Sequence, residues 1–345
     1  MRHEEYMQRC LQLALNGLGT TSPNPLVGSV IVRQGKIIGE GWHHKAGEPH
    51  AEVMAIRSVA DESLLREATL YVNLEPCAHH GRTPPCSDLI IEKKIPRVVV
   101  GTGDPFVEVS GKGIARMRKA GIEVTEGILP DQCQQINKRF FTFHTQKRPY
   151  IILKWAQSRD GFLDWERGDD EKGPNWITGK EAKILVHHWR VQEDAILVGA
   201  QTAITDNPSL TVRETKGKNP VRLLIDPDLR VAKDRNLYDQ QSKTIILNLQ
   251  KEGTENTVEF IRVTDRALVM SSLLEACYQR NITSILVEGG AETLHHFILS
   301  GNWDEARIFT GTVSFGSGLL APSIQGLPMD SSIIGNDHLQ ILFRE

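Results

Sequence analysis

The sequence predicts an α/β fold in two domains, and three observations carry that expectation. The first is length: 345 residues exceed the usual ~150 of one domain and suffice for two cores. The second is alternation, with helical spacing and short β-branched runs taking turns through both halves. The third is a pause at residues 145–149, Thr-Gln-Lys-Arg-Pro, after which a new apolar run opens at Tyr150. The boundary is placed there, giving domains of residues 1–146 and 147–345.

In the first domain, apolar residues at Tyr6, Met7, Cys10, Leu11, Leu13 and Ala14 make one face of a helix over 4–16, with Gly17 as its stop. Residues 27–32 and 36–42 flank Gln34-Gly35 and read as a hairpin. A helix over 51–60, a strand at 69–74, a segment after Cys86, a strand at 98–100 and a helix over 113–120 follow. In the second domain the same reading places a strand from Tyr150 and helices over 179–192 and 266–280. It places further strands at 195–198, 221–225, 244–247 and 282–287, the last meeting Gly289-Gly290 before another helix. There is no short-period repeat and no low-complexity tract, which sets aside solenoids and tails.

Composition narrows the function classes. With 24% charged and 40% apolar residues the chain is built to fold, unlike charge-rich disordered sequences. Its 40 basic and 43 acidic side chains leave a net charge of −3, without the basic excess of a nucleic-acid binder. No apolar run approaches the ~18 residues of a membrane span, and Glu4, Glu5 and Arg9 stand where a signal peptide stays uncharged. A soluble cytoplasmic protein is the expectation. Five cysteines, odd in number and sparse, do not form a disulfide framework, so the question is whether two of them hold a metal.

Cys77 and Cys86 are the candidates. His50-Ala51-Glu52 is followed by Glu75-Pro76-Cys77 and, nine positions later, by Cys86. One imidazole and two thiolates suit a catalytic zinc, which takes three protein ligands and keeps a fourth position for water. His50 and Glu52 fall at a predicted helix start, and the cysteines near the starts of later segments, where backbone N–H groups favour thiolates. Glu52, two residues from a ligand, stands beside that fourth position as a general acid/base. Each piece alone is weak, since His-x-Glu arises by chance and most such cysteines are buried thiols. Together they form the zinc-deaminase signature, except that the second cysteine ordinarily comes three residues after the first. The longer loop of residues 78–85 leaves the ligand set intact, because a metal site is defined in space. Cys10, Cys133 and Cys277 read as core or surface residues.

The motifs in order resemble the bifunctional riboflavin-biosynthesis deaminase/reductase family over essentially the whole chain. The first half carries Thr21-Ser22-Pro23-Asn24-Pro25-Leu26-Val27-Gly28, Gly41-Trp42-His43, His50-Ala51-Glu52, and Glu75-Pro76-Cys77 through Pro84-Pro85-Cys86. The second carries Leu153-Lys154, Ser158-Arg159-Asp160-Gly161, Trp176-Ile177-Thr178-Gly179, Val198-Gly199 with Thr202, residues 206–213 and Val287-Glu288-Gly289-Gly290. The resemblance implies a cytidine-deaminase-like three-layer α/β/α domain followed by a dihydrofolate-reductase-like α/β domain.

It further implies a zinc-dependent hydrolysis of the exocyclic amine of a diamino-pyrimidinone carrying a ribosylamino phosphate, with Glu52 moving the proton. NADPH would then reduce the ribosyl group to ribityl in the second domain. By similarity Asn24, His43, His79 and Arg82 contact the first substrate, while His44 and His80 are taken as solvated. The substrate positions carried over to the second half are Pro174, Arg190, Leu210, Arg213 and Glu288. Lys154, Arg190 and Arg213 are expected to offer cationic contacts to a substrate phosphate. Ala156, Trp176, Thr202 and Asp206 match nicotinamide-cofactor positions, as does the stretch Gly290, Ala291, Glu292, Thr293, Leu294, His295 and His296. From the residues themselves, no GxGxxG follows a strand, and only Gly289-Gly290 between a strand and a helix points to a phosphate. Asn24 between prolines also suits a turn, and Trp176 a core or interface aromatic.

The expected partners are a small phosphorylated pyrimidine, no nucleic acid, no membrane, and further copies of the chain. A deaminase acting on polynucleotides with an appended RNA-binding domain is the alternative, and it calls for a basic groove that the net charge of −3 does not favour. A scaffold with structural zinc would close the site with a fourth protein ligand, and Glu52 argues against it. Residues 326–345 match no motif.

Overall fold

The structure is a computed structural model that describes residues 3–79, 84–106, 110–168, 173 and 175–345. The chain divides into two units, Met1–Lys147 and Arg148–Glu345.

In the first unit α1 (His3–Leu15) buries Met7, Cys10, Leu11, Leu13 and Ala14, the face that the apolar spacing predicts. Strands β1 (Gly28–Arg33) and β2 (Lys36–Trp42) pair antiparallel around Gln34-Gly35, both at positive φ as a primed hairpin turn requires. The chain continues through α2 (Ala51–Arg57), β3 (Thr69–Leu74), α3 (Cys86–Glu92), β4 (Arg97–Thr102), α4 (Lys112–Lys119), β5 (Glu123–Glu126), α5 (Pro130–Ile136) and α6 (Lys138–Gln146). The sheet runs β2-β1-β3-β4-β5, antiparallel around β1 and parallel from β3 to β5. Residues of α1 and α5 pack on Val30, Val32, Tyr71 and Val99 on one face. On the other, α2, α3 and α4 bury Ala55, Ile56, Ile90, Ile114 and Met117 against Ile31, Leu70, Val72, Val98 and Val100. Three layers result. Side chains such as Ile31 and Leu70 are fully buried, so truncating one to alanine costs about 2–5 kcal/mol.

The second unit opens with β6 (Tyr150–Gln157), β7 (Phe162–Asp164), α7 (Lys180–Gln192), β8 (Ala195–Gly199), α8 (Ala200–Asp206), β9 (Val221–Ile225) and β10 (Thr244–Asn248). It continues with β11 (Gly253–Glu255), β12 (Val258–Arg262), α9 (Val269–Gln279), β13 (Ser284–Val287), α10 (Ala291–Ser300), β14 (Glu305–Thr310), β15 (Leu319–Leu320), β16 (Leu327–Ile334) and β17 (Asp337–Phe343). Ten strands form one sheet in the order β11-β12-β10-β9-β8-β13-β6-β14-β17-β16, and β7 pairs with β15. Its centre is parallel from β12 to β14. Helices α9 and α10 cover one face through Leu273, Cys277, Leu294 and Phe297. Helix α7 covers the other through Ala182, Val186 and Trp189, with Ala200 and Ala203 of α8 further along.

Several elements differ from the sequence reading. The helix expected over 51–60 stops at Arg57, and the first turn of the one expected over 266–280 is a 3-10 turn, Arg266–Leu268. The last strand before the glycine pair starts at Ser284. The unmatched stretch 326–345 is the β16–β17 hairpin, with β17 joined to β14 across the sheet. Its edge strand β16 exposes most of its side chains and lacks the apolar alternation by which strands are recognised. Cys10, Cys133 and Cys277 are all buried.

Candidate active sites

The first site assembles where α2 and α3 begin. His50 precedes α2, Glu52 lies in its first turn, and Cys86 is the first residue of α3. Cys77 lies in the loop after β3, whereas Cys86 does stand at the start of a segment. Cys77 still receives a backbone N–H, because Cys86 N donates to Cys77 Sγ at 3.3 Å. Ser87 N and Oγ fix the Cys77 carbonyl at 3.2 and 3.0 Å. A side chain at Gly41 would meet Ala55 N at 2.4 Å, so this glycine lets α2 lie close on β2.

His50 Nδ1 lies 3.6 Å from Cys77 Sγ and 3.3 Å from Cys86 Sγ, and the three ligand atoms fall within 4.8 Å of one another. Tetrahedral zinc with ordinary Zn–S and Zn–N bonds separates nitrogen and sulfur ligands by about 3.6 Å, so the donor set fits the ion in spacing and in chemistry. The hydrogen bond from the Cys86 thiol, with those from His50 and the Cys86 N–H, overrides burial and pushes Cys77 down to about 4. Sharing that proton with Cys77 pushes Cys86 up, and burial and Glu52 add to it. His50 rises to about 8 through its bond to Cys77. A coordinating cation deprotonates both thiols outright. Glu52 is 3% exposed, and burial raises its carboxyl above the usual range against the opposing pull of His50.

Asn24 and His43 come together beside this cluster. Asn24 Nδ2 lies 3.0 Å from His43 Nε2, and His43 Nδ1 lies 3.1 Å from the Pro49 carbonyl, so the ring donates at Nδ1 and accepts at Nε2. His43 is 3% exposed, its burial lowers its pKa, and its ring stands edge-on to His50 with centroids 5.4 Å apart. Both nitrogens of His43 are thus engaged, which leaves the carboxamide oxygen of Asn24 for a ligand. Asn73 and Asn137 clamp the backbone of Leu26 and Gly28 next to it. His79 is exposed, edge-on to Phe106 at 6.1 Å. Arg82 and His80 lie outside the described residues. His44, expected to be solvated, is half-buried, with its ring centroid 4.3 Å from that of Trp42.

Two acids escaped the sequence reading as site residues. Glu75, 4% exposed, accepts N–H bonds from Asp104, Gly111, Gly113 and Ile114 at 2.9–3.4 Å and so caps α4 while anchoring the Cys77 loop. Burial, with Glu75 and Cys77 nearby, pushes Asp104 up to about 7. The only signal for Glu75 was its place before Pro76-Cys77; Asp104 had none.

The second site lies at the carboxyl ends of the central strands, where open parallel sheets bind ligands. The parallel register sets Leu153 beside Val287, which brings the next residues, Lys154 and Glu288, to one level. From α7, Arg190 Nε and Nη2 each donate to Glu288 at 2.8 Å, while Nη1 reaches the Thr211 carbonyl at 3.1 Å. Lys154 Nζ lies 3.9 Å from Glu288. Burial alone would raise Glu288, but the charges of Arg190 and Lys154 hold it down to about 2. Burial lowers Lys154, with Arg190 adding to the effect.

The three expected phosphate cations therefore separate. Arg190 is 9% exposed with its guanidinium committed to Glu288 and Thr211, and Lys154, half-buried, lies 3.9 Å from Glu288. Arg213 is exposed. Leu210 is 2% exposed and belongs to the core, so only its backbone can face a ligand. Pro174 lies outside the described residues.

Helices α8 and α10 start side by side at the ends of β8 and β13, and Gly199 N donates to Gly289 O at 3.1 Å. A Cβ on Gly290 would stand 2.8 Å from Thr202 Oγ1, so a cradle of bare backbone opens at the start of α10, suited to the phosphates of a dinucleotide. Thr293 is buried beneath it and Leu294 packs into the core, whereas Glu292, His295 and His296 are exposed and Ala291 is half-buried. Ala156 ends near the same edge on β6, and Asp206, raised by burial, lies 3.5 Å from Arg167. Trp176 is 61% exposed, with Lys183 Nζ 5.0 Å from its ring centroid, which excludes the core reading of that aromatic.

Comparison with known proteins places both units in known families. Residues 1–102 match the cytidine and deoxycytidylate deaminase zinc-binding region, and residues 149–341 match the RibD C-terminal domain. A riboflavin biosynthesis protein RibD of Aquifex aeolicus is 42% identical over 323 residues, covering 92% of this chain and 88% of the relative. That of Escherichia coli is 37% identical over 334 residues, covering 92% and 89%. A solved Thermotoga maritima structure, described as a diaminohydroxyphosphoribosylaminopyrimidine deaminase/5-amino-6-(5-phosphoribosylamino)uracil reductase, superposes with a TM-score of 0.90 at 38% identity, covering 99% of both chains. Fold and site together define a zinc-binding deaminase joined to an NADPH-using reductase. The chain belongs to the RibD family, the bifunctional deaminase/reductases of riboflavin biosynthesis.

Proposed function

We propose that the first unit removes the ring amine of a diamino-pyrimidinone bearing a ribosylamino phosphate, and that the second reduces the ribosyl group of the deaminated product to ribityl. The observation that carries this reading is the His50–Cys77–Cys86 cluster with Glu52 buried two residues from His50, in the first turn of α2. What zinc supplies when held by these three residues is Lewis acidity that makes water nucleophilic near neutral pH. Glu52 takes a proton from the attacking water and passes it to the ring nitrogen beside the amine-bearing carbon, then carries the remaining hydroxyl proton to the amine nitrogen, so the C–N bond breaks, C=O forms and ammonia leaves. Asn24 orients the base through its carboxamide oxygen, and His43 holds Asn24 in that pose. His79 and Arg82 complete the contacts to the ribosyl phosphate.

In the second unit NADPH, when bound, supplies a hydride. Gly290 and the first turn of α10 receive its phosphates, with Ala156, Trp176, Thr202 and Asp206 along its length. Arg213, exposed and cationic, takes the substrate phosphate. Lys154 and Glu288 meet the polar groups of the ribosyl chain, and Arg190 keeps Glu288 ionised and the Thr211 backbone in place.

The reading extends to a cytoplasmic homo-oligomer that binds no nucleic acid. A net charge of −3 supports the last point, and edge strand β16, with Leu327, Met329 and Ile333 exposed, supports self-association. No helix among the described residues is long and apolar enough to cross a membrane. The test incubates the protein with the diamino intermediate and NADPH while ammonia and NADPH absorbance are followed together. Equal yields of ammonia and oxidised cofactor are expected; NADPH loss without ammonia would overturn the order of steps.

A further inference from the structure

We propose that His187 is a positioning residue for phosphate recognition in the second unit: its Nδ1 accepts the backbone N–H of Arg213 and so aims the Arg213 side chain at the substrate. This rests on the reading above that Arg213 takes the phosphate.

Residues 207–213 form no helix or strand, so their backbone polar groups must find partners elsewhere. Side chains supply them. The Thr211 carbonyl accepts from Arg190 Nη1 at 3.1 Å, Val212 N donates to Asn219 Oδ1 at 2.9 Å, and Arg213 N donates to His187 Nδ1 at 3.0 Å. His187 and Arg190 lie three positions apart on α7 and so share a face, which makes one helix the mount for the Thr211 carbonyl and the Arg213 N–H. That mount is itself fixed, because Arg190 is clamped on Glu288.

His187 is 2% exposed, and Nδ1 accepts only while the ring is neutral with its proton on Nε2. Burial, then the charges of Arg190 and Arg213, lower it to about 4 against the opposing pull of Glu288 and Glu214. The acceptor is therefore available throughout the neutral range. A neighbouring cation that disfavours the imidazolium is here also the residue whose backbone the imidazole holds.

The experiment compares H187L, which removes the acceptor at similar volume, with H187N, whose Oδ1 stands in for Nδ1, and with R213A and the H187L/R213A pair. Each is assayed as a reductase on the deaminated substrate and on its dephosphorylated analogue, with NADPH affinity measured as a check on the fold. For the phosphorylated substrate, R213A is expected to raise KM at least tenfold and H187L at least fivefold, with kcat within twofold. H187N is expected within twofold of the parent, and the double variant no worse than R213A. KM for the analogue and NADPH affinity should not move. An H187L that leaves KM unchanged while R213A raises it overturns the inference alone. So does an H187L that damages both substrates equally and is not rescued by asparagine. An R213A with normal KM removes the phosphate assignment, and the inference falls with it.

Discussion

The two active sites solve placement in opposite ways. In the first unit all three metal ligands come from residues 50–86, and each is a side chain whose type announces its chemistry. In the second, Lys154, Arg190, Thr211 and Glu288 come from widely spaced stretches and meet through strand register and one helix face. The first site is organised by three ligand atoms that lie within 4.8 Å of one another and suit one cation. The second is organised by a nearly buried ion pair that stands complete before any ligand arrives, because Arg190 already neutralises Glu288. The lesson is that a metal site tolerates a changed loop, such as residues 78–85, whereas an ion-pair site depends on every strand around it.

The widest separation between the sites is expected from H50A or C77S, each of which should abolish zinc binding and ammonia release. NADPH oxidation on supplied deaminated substrate should stay within twofold of the parent. Joint loss of both activities would erase the contrast. Next in size, E52Q should retain zinc by elemental analysis and lose about 10²–10⁴ of the deamination rate, since ligation is intact and only proton transfer is removed.

Breaking the second site from within should show as stability. E288Q leaves Arg190 buried without its counter-charge and should cost about 3–5 kcal/mol in denaturant unfolding of the second unit. Glu288 is depressed from about 4.5 to about 2, so its contribution is complete above pH 4.5 and fades as pH falls toward 2. The parent should lose stability across that window more steeply than E288Q; parallel curves would refute the pairing. The smallest expected effect is that of N24A, a rise of about tenfold in KM for the diamino substrate from one lost polar contact, read by steady-state ammonia release.

How far the sequence could be read follows the same divide. Helix α1 was visible because its apolar spacing matches one buried face, and the β1–β2 hairpin because Gln34-Gly35 admits positive φ. The C-terminal hairpin was not, because β16 exposes most of its side chains and its place depends on pairing with β17. Glu52 was visible from His50. The burial of His43, the commitment of Arg190 to Glu288 and the α4 cap by Glu75 depend on partners distant along the chain.

The sequence by itself determined the chemistry of the first unit, because soft ligands of the right types beside a carboxylate restrict what the ensemble can do. It also determined the α/β class, since periodicity is a local property. Only the tertiary structure decided which charges in the second unit remain free. The state of Lys154, Arg190, His187 and Glu288 is set by burial and by one another, and neither exists until parallel strands align and α7 packs on the sheet.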